Sequence, residues 1–568
     1  MTRRSSPSPR NAGERVGVRG PRIQPWSTAR PLTLSLSPAL RGERKIAATL
    51  TCLLATTALA SGLADHGEDL FPREKLEVKL SGYFRTRGEL YSNLDLDRGT
   101  TPSGQPLFPV PLADPTSQNL VSADMRLRTD LALYTPFATA AVKVRADLID
   151  DLVLGSTPYL TPGSGNAPTP VASPGQLPAS LLRIKRAYGE ALTPLGLISA
   201  GRMGNQWGLG MLANGGDCLD CDHGDAADRI AFVTPIAGHL WALAYDFSAV
   251  GPTALRADGQ RSLVLDPSVA VRSVTFGVLN VRDDHGLLRR RRAGKVTLEY
   301  GAFAAYRWQD NDVPESYLAV TQTRALTPAS VMRRGARAGV FDVYAKLTGP
   351  SFRIAAEAAL SLAQVDQVSL LPGVLLRDPA SSTQFGAVLE TQLGAPESRL
   401  VGGVNAGFAS GDPAPGFGAY PQAGAVSQPG ELDGPQANLP RDNRVDNFRF
   451  NPDYRIDRIL FAEIVGTVTD AIYVRPWGRA RLLDFASSSL DLRASATWSR
   501  AVYASSTPGN DANLGLELNA SLAWLSRDGF NALAEYAVLF PFAGFNNPAQ
   551  GLTAQPAQLL RLRLAWVF

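Results

Sequence analysis

The residues best equipped for chemistry lie in one segment, residues 217–228, DCLDCDHGDAAD. Cys218 and Cys221 form a C-x-x-C pair amid Asp217, Asp220, Asp222, Asp225 and Asp228, with His223 beside them. In an oxidising compartment the two thiols join as a short disulfide that stiffens the segment. Clustered carboxylates also supply the hard oxygen ligands that Ca²⁺ takes, and Asp217, Asp220, Asp222 and Asp225 are the candidate set. Zinc held by Cys218, Cys221 and His223 lacks a fourth ligand, and a disulfide-forming compartment opposes it. The disulfide is the favoured reading, and no cofactor is called for.

A second set is basic. Lys79, Arg85, Arg87, Arg126, Arg128, Lys143, Arg145, Arg307, Arg353, Arg493, Arg561 and Arg563 stand on the polar faces of alternating segments. Asp124, Asp130, Asp147, Glu357, Glu517 and Glu535 share those faces, so the count is twelve basic to six acidic. Such a face either neutralises itself by pairing or lowers the barrier for anions, as rings of Arg and Lys do in anion pores. Catalysis has little to use. His66 precedes the first strand, His239 and His285 fall in turns, and only His223 has carboxylates beside it. No GxSxG, HExxH or Walker sequence occurs in the context it needs, so no catalytic residue is expected.

The elements that carry these residues alternate with period two over roughly ten residues, the mark of strands with one apolar and one polar face. In residues 78–91, Val78, Leu80, Gly82, Phe84 and Leu90 oppose Lys79, Ser81, Tyr83, Arg85, Arg87, Glu89 and Tyr91. Residues 124–134 and 352–361 repeat the pattern. No segment beyond the leader is a helix-length apolar span. At 45% hydrophobic and 19% charged the chain is too apolar for disorder, and its 3 Cys are too few for a disulfide scaffold.

The formal charge of +4 comes from the leader, because residues 1–60 hold ten Lys and Arg against Glu14 and Glu43. The remainder has 46 basic and 50 acidic residues, which removes the argument for a nucleic-acid partner. Residues 45–64 read as a signal peptide: basic residues stand just before it, an uncharged core starts at Ile46, and Ala58-Leu59-Ala60 is the cleavage site. Residues 1–44 then read as an over-long start or a disordered extension, and residues 65–568 as the exported barrel.

Short and long connections alternate along that exported chain. Tight turns fall at Thr135-Pro136-Phe137 and at residues 193–196, 235–239, 348–351, 394–398, 486–489 and 527–529, with 283–294 as a longer member. Between them lie nine segments rich in Pro, Gly, Ser and Asp, near 92–121, 150–181, 204–227, 249–271, 309–335, 364–381, 410–467, 503–512 and 542–557. One rim of turns and one of loops is the pattern of outer-membrane barrels, with short periplasmic turns and long extracellular loops. The expectation is an all-β transmembrane antiparallel β-barrel of about 18 strands. In residues 454–466 Ile456, Ile459, Leu460 and Ile464 approach helical spacing, and a further strand there would put the C-terminus on the wrong side of the membrane, so a short helix is placed in the loop at 410–467; sixteen strands remain the alternative. Trp241, Trp498, Trp524 and Trp566, with Tyr300, Tyr306 and Tyr536, suit interfacial belts. A lumen of this width is expected to be wet. The final strand, LLRLRLAWVF, presents Leu564, Trp566 and Phe568 on one face, as an insertion signal read by barrel-assembly machinery would.

Ala187-Tyr188-Gly189-Glu190, residues 196–202 and Trp207-Gly208-Leu209-Gly210 resemble a strand–turn–strand unit of alginate-export-type, porin-like barrels. Residues 451–454, 459–461, 514–517 and 540–544 resemble a family of large outer-membrane barrels of myxobacteria and their relatives, to which no function is assigned. The resemblance implies the architecture and no substrate. The expected activity is a channel for small polar solutes, anions among them, with outer-membrane lipid and lipopolysaccharide as surroundings. An exporter of an acidic polysaccharide and a surface receptor or adhesin are the alternatives. Oligomeric state is not legible.

Overall fold

The structure, a computed structural model, describes residues 75–112, 118–136, 139–155, 182–314, 326–369, 375–376, 378–416, 428–432 and 442–568. The leader expected at 1–44 and 45–64, and most of the loop at 150–181, lie outside the described residues. Eighteen strands form one antiparallel sheet. It closes because the first strand, β1 (Glu77–Ser92), pairs with both the second, β2 (Asn119–Tyr134), and the last, Ala557–Val567. Gly82 and Phe568 exchange backbone hydrogen bonds of 2.9 and 3.0 Å across that seam. Closure leaves no sheet edge with unpaired backbone groups, the condition for a β-structure in hydrocarbon.

The alternation does what the sequence predicts. In the last strand Leu560, Leu562, Leu564 and Trp566 are exposed outward, while Leu559, Arg561, Arg563 and Ala565 are buried inward. Exposed Ile198, Leu243, Phe276, Phe341, Phe385 and Ile472 continue the apolar outer band on other strands. Trp566 packs against Phe84 and Phe530 at one rim, and Tyr306 stacks on Trp308 towards the other. Such paired girdles suit two membrane interfaces.

Eight short connections occupy one end and nine long ones the other, so the strand count is eighteen and the sixteen-strand alternative falls. Two connections differ from expectation. The turn at 283–294 is an α-helix, Asp284–Arg292, whose N-cap Asp283 accepts from the Gly286 N–H. The helix expected at 454–466 is a single π-helical turn, Leu460–Ile464. It is that short because the Asp457 carboxylate takes the amides of Phe461 and Ala462 while the backbone bonds run from Ile464 to Ile459 and from Val465 to Leu460. A small antiparallel hairpin, Thr253–Leu255 with Ser262–Val264, stands apart from the barrel sheet.

Candidate functional site: the basic wall and the loops folded onto it

Strand register puts like charges side by side on the inner wall. Arg85 is directly opposite Arg126, and Arg87 is directly opposite Arg563. Opposed like charges destabilise a strand pair unless counter-ions lie between them. The wall supplies some of these: Asp124 accepts from Arg85 at 3.0 Å and from Arg87 at 2.9 Å. The third strand, Ala140–Val153, adds Asp147, which takes Arg128 at 2.7 Å, and its end adds Asp151, which pairs with Arg126.

The rest comes from the loop 205–225. Asp222 accepts from Arg85 at 3.2 Å and from Arg87 at 3.1 Å, and Asp220 pairs with Arg563. Three backbone carbonyls join them: Leu219 accepts from Arg85 at 2.9 Å, Cys221 from Arg126 at 2.6 Å and Gly216 from Arg128 at 2.7 Å. Cys218 and Cys221 are disulfide-bonded, which closes the short segment that presents these groups. Asp217, at its start, pairs with Arg145 and lies 3.0 Å from Arg186.

A second loop locks the first. Asp453 accepts from the backbone N–H groups of Asp222, His223 and Gly224 at 3.1, 3.4 and 2.7 Å. Asn451 donates to Asp225 at 2.7 Å, and Arg455 reaches Asp222 at 2.8 Å. Both loops also grip more distant strands. Trp207 donates to Asp342 at 2.8 Å, and Glu357 accepts from the amides of Leu209 and Leu212. Glu517 accepts from the amides of Arg458, Ile459 and Leu460, while the Arg458 guanidinium lies 2.8 Å from Glu535. The two loops therefore bridge the lumen from the basic wall to strands Met332–Thr348 and Phe352–Val365.

Side chains of the two loops fill part of the lumen. Trp207, Leu209 and Met211 pack with Phe448, Phe450, Ile456, Ile459, Leu460 and Phe461 in one buried core inside the barrel. The near-helical spacing at 456–464 thus serves burial against the inner wall. The folded loops also leave half of the twelve-residue basic ladder away from open water. Arg85, Arg87, Arg126, Arg128, Arg561 and Arg563 are all buried beneath loop groups or within wall pairs.

The other basic residues divide. Lys143 pairs with Glu190 at 3.1 Å, Arg145 with Asp130 at 2.6 Å and Arg353 with Glu390 at 2.9 Å. Arg493 is directly opposite Arg479. Lys79, whose ammonium lies 5.3 Å from the centre of the Tyr134 ring, and Arg307 are exposed on the inward face. The candidate Ca²⁺ ligands diverge: Asp217, Asp220, Asp222 and Asp225 each turn to different partners, and among the described residues no acidic, His or Cys cluster has metal-holding geometry. The His223 ring is exposed.

Charge on the acidic loop follows from these contacts. Burial opposes ionisation of Asp222, but the guanidiniums of Arg87, Arg455 and Arg85 outweigh it and hold the carboxyl well below the usual carboxylate range. Asp217 is held down in the same way by Arg145 and Arg186 against its burial. Asp225 has no guanidinium among the groups that act on it, so burial, helped by neighbouring Asp453, pushes it up against the bonds from Asn214 and Asn451. Carboxylates held ionised against desolvation mark pairs whose attraction exceeds their burial cost.

Several contributors escaped the sequence reading: Arg186, Asp453, Arg455 and Arg458 hold the loops, and Asp342 and Glu390 receive them from the wall. Two arginines and two aspartates within residues 453–458 of the longest loop were the available signal. When the unreduced, denatured protein is alkylated, Cys218 and Cys221 should remain unlabelled and become labelled only after reduction. Labelling of both before reduction would contradict the bond.

No family model matches the sequence, and no curated protein does. Among solved structures the fold resembles OccK11 of Pseudomonas aeruginosa (TM-score 0.42, 9% identity, 88% of this chain and 98% of that one). It also resembles a BenF-like porin of Pseudomonas fluorescens Pf-5 (TM-score 0.41, 8% identity, 87% and 100%). A third is an anion-selective porin of Comamonas acidovorans (TM-score 0.37, 10% identity, 87% and 100%).

Proposed function

We propose that this chain is an outer-membrane channel for small polar, preferentially anionic solutes, exported by the signal at 45–64. The single observation that carries the reading is the inner wall at the barrel seam. Four arginines on three neighbouring strands face the lumen there, and loop carboxylates occupy them. Where the loop carboxylates leave this wall, its arginines would stabilise negative charge in transit. The apolar outer band and closed sheet support the membrane setting, and Lys79 and Arg307 are the wall cations that meet solvent. The loops crossing the lumen would set the constriction.

Single-channel recording in a planar bilayer tests this, with the reversal potential taken across a salt gradient. Discrete conducting steps are expected, with a potential of the sign that marks anion preference. A folded barrel that stays silent at all voltages would overturn the channel and favour a receptor. Steps with cation preference would overturn the solute class.

A further inference from the structure

We infer that the wall formed by Arg85, Arg87, Arg126 and Arg563 is a binding site for a multivalent oxyanion, and that the disulfide-closed acidic loop is its tethered internal ligand. The inference deepens the channel reading and rests on it for the purpose of the site, though not for its existence. The chemistry comes from what sits there. Asp220 and Asp222, two residues apart on either side of disulfide-bonded Cys221, place separate carboxylates on Arg563 and on Arg85 with Arg87. One small segment thereby neutralises arginines of two adjacent strands, and its Asp222 carboxylate also lies 3.6 Å from Arg126 on a third.

A second observation is independent of the loop. The Nε atoms of Arg85, Arg126 and Arg563, and Nη2 of Arg563, are buried without a hydrogen-bond partner even with the loop in place. The wall therefore offers more donors than the loop consumes, and a buried guanidinium donor left unfilled is costly. An oxyanion with several charged oxygens would fill donors that two aspartates cannot reach. Multivalency is required by the tether, because an attached competitor acts at high effective concentration. A singly charged solute replaces one contact at a time, whereas a multivalent one replaces Asp220 and Asp222 together. Displacement would also release Asp453 from the amides of 222–224, which couples the anion site to the second loop.

Citrate is the probe, with acetate at matched ionic strength as the monovalent control. In hydrogen exchange on the wild-type protein, citrate should speed exchange of the 222–224 amides at least tenfold, and acetate should not. In calorimetric titration the D220N/D222N variant should bind citrate at least tenfold more tightly than wild type, because its competitor is neutral. Unchanged exchange at saturating citrate, or equal speeding by acetate, overturns the inference. So does equal citrate affinity in a folded variant; if the variant does not fold, the wild-type exchange result decides. Both readouts are independent of conduction. A silent barrel that releases the loop to citrate keeps the site and loses the channel, and a conducting barrel indifferent to citrate does the reverse.

Discussion

Replacing Arg85 with alanine is expected to lower the unfolding free energy by about 3–5 kcal/mol, the usual consequence of removing one partner from a buried ion network. Arg85 is fully buried and makes ion pairs with Asp124, Asp151 and Asp222 while also donating to the Leu219 carbonyl. Truncation leaves three carboxylates short of a cation in a site water reaches poorly, and it frees the acidic loop from the seam. Lysine should recover little, since one ammonium cannot reproduce the fork that reaches wall and loop together. Denaturant unfolding in lipid vesicles, followed by tryptophan fluorescence, measures the effect. A loss below about 1 kcal/mol, the range of exposed pairs, would mean that the network is solvated and that the wall does not pin the loop.

The second large effect is a pH dependence centred on Asp470, immediately before the strand Ala471–Asp484. Its carboxyl is fully buried, accepts from the Ser506 hydroxyl and the Tyr503 amide, and is close enough to Gly411 that a methyl there would overlap it. Burial pushes it from an ordinary 3.8 up to about 7; the bonds from Ser506 and Tyr503 pull it back, and Asp412 adds to the rise. The folded state therefore keeps a proton that the unfolded chain releases. Stability from this group is complete below about pH 4 and falls as pH rises to about 7, by at most about 4 kcal/mol for a shift of about three units. Asp470→Asn keeps the shape without the charge. Thermal midpoints of variant and wild type should coincide near pH 4, and the variant should be the more stable at pH 8. Parallel curves across that range would show that Asp470 titrates normally.

Much of the fold was legible because a barrel in lipid has a local signature. Its outward residues must be apolar and its inward ones need not be, so period-two alternation is written into every strand. Leu560 through Trp566 against Arg561 and Arg563 is the clearest case. Loop lengths then carried the strand count, since each long segment had to return through a short one. The exception at 454–466 shows the limit of local pattern: its spacing suggested a helix, whereas its Ile, Leu and Phe side chains are there to fill the lumen, and only one π-helical turn forms.

The candidate site was half legible. The acidic C-x-x-C loop and the wall arginines were both visible from residue type, but not that one is seated on the other. Asp222 and Arg85 are 137 residues apart, and Asp220 and Arg563 are 343 apart. No local periodicity encodes such a meeting. Asp217, Asp220, Asp222 and Asp225 read in sequence as one candidate cluster for a cation. In space Arg145, Arg563 and Arg87 draw the first three apart, because guanidiniums already buried in the wall are nearer counter-ions than any free metal.

By itself, then, the sequence determined which faces meet lipid, how short and long connections alternate and what charges line the sheet, because alternation and turn spacing act over about ten residues. The choice of eighteen strands over sixteen came from the closed sheet. The tertiary structure alone decided that the lumen is crossed by two interlocked loops with a dry core, and that the basic wall already holds an acidic ligand of its own. Those facts depend on strand register and on how two distant loops fold back into a closed space. That is a matter of three-dimensional packing between residues hundreds of positions apart.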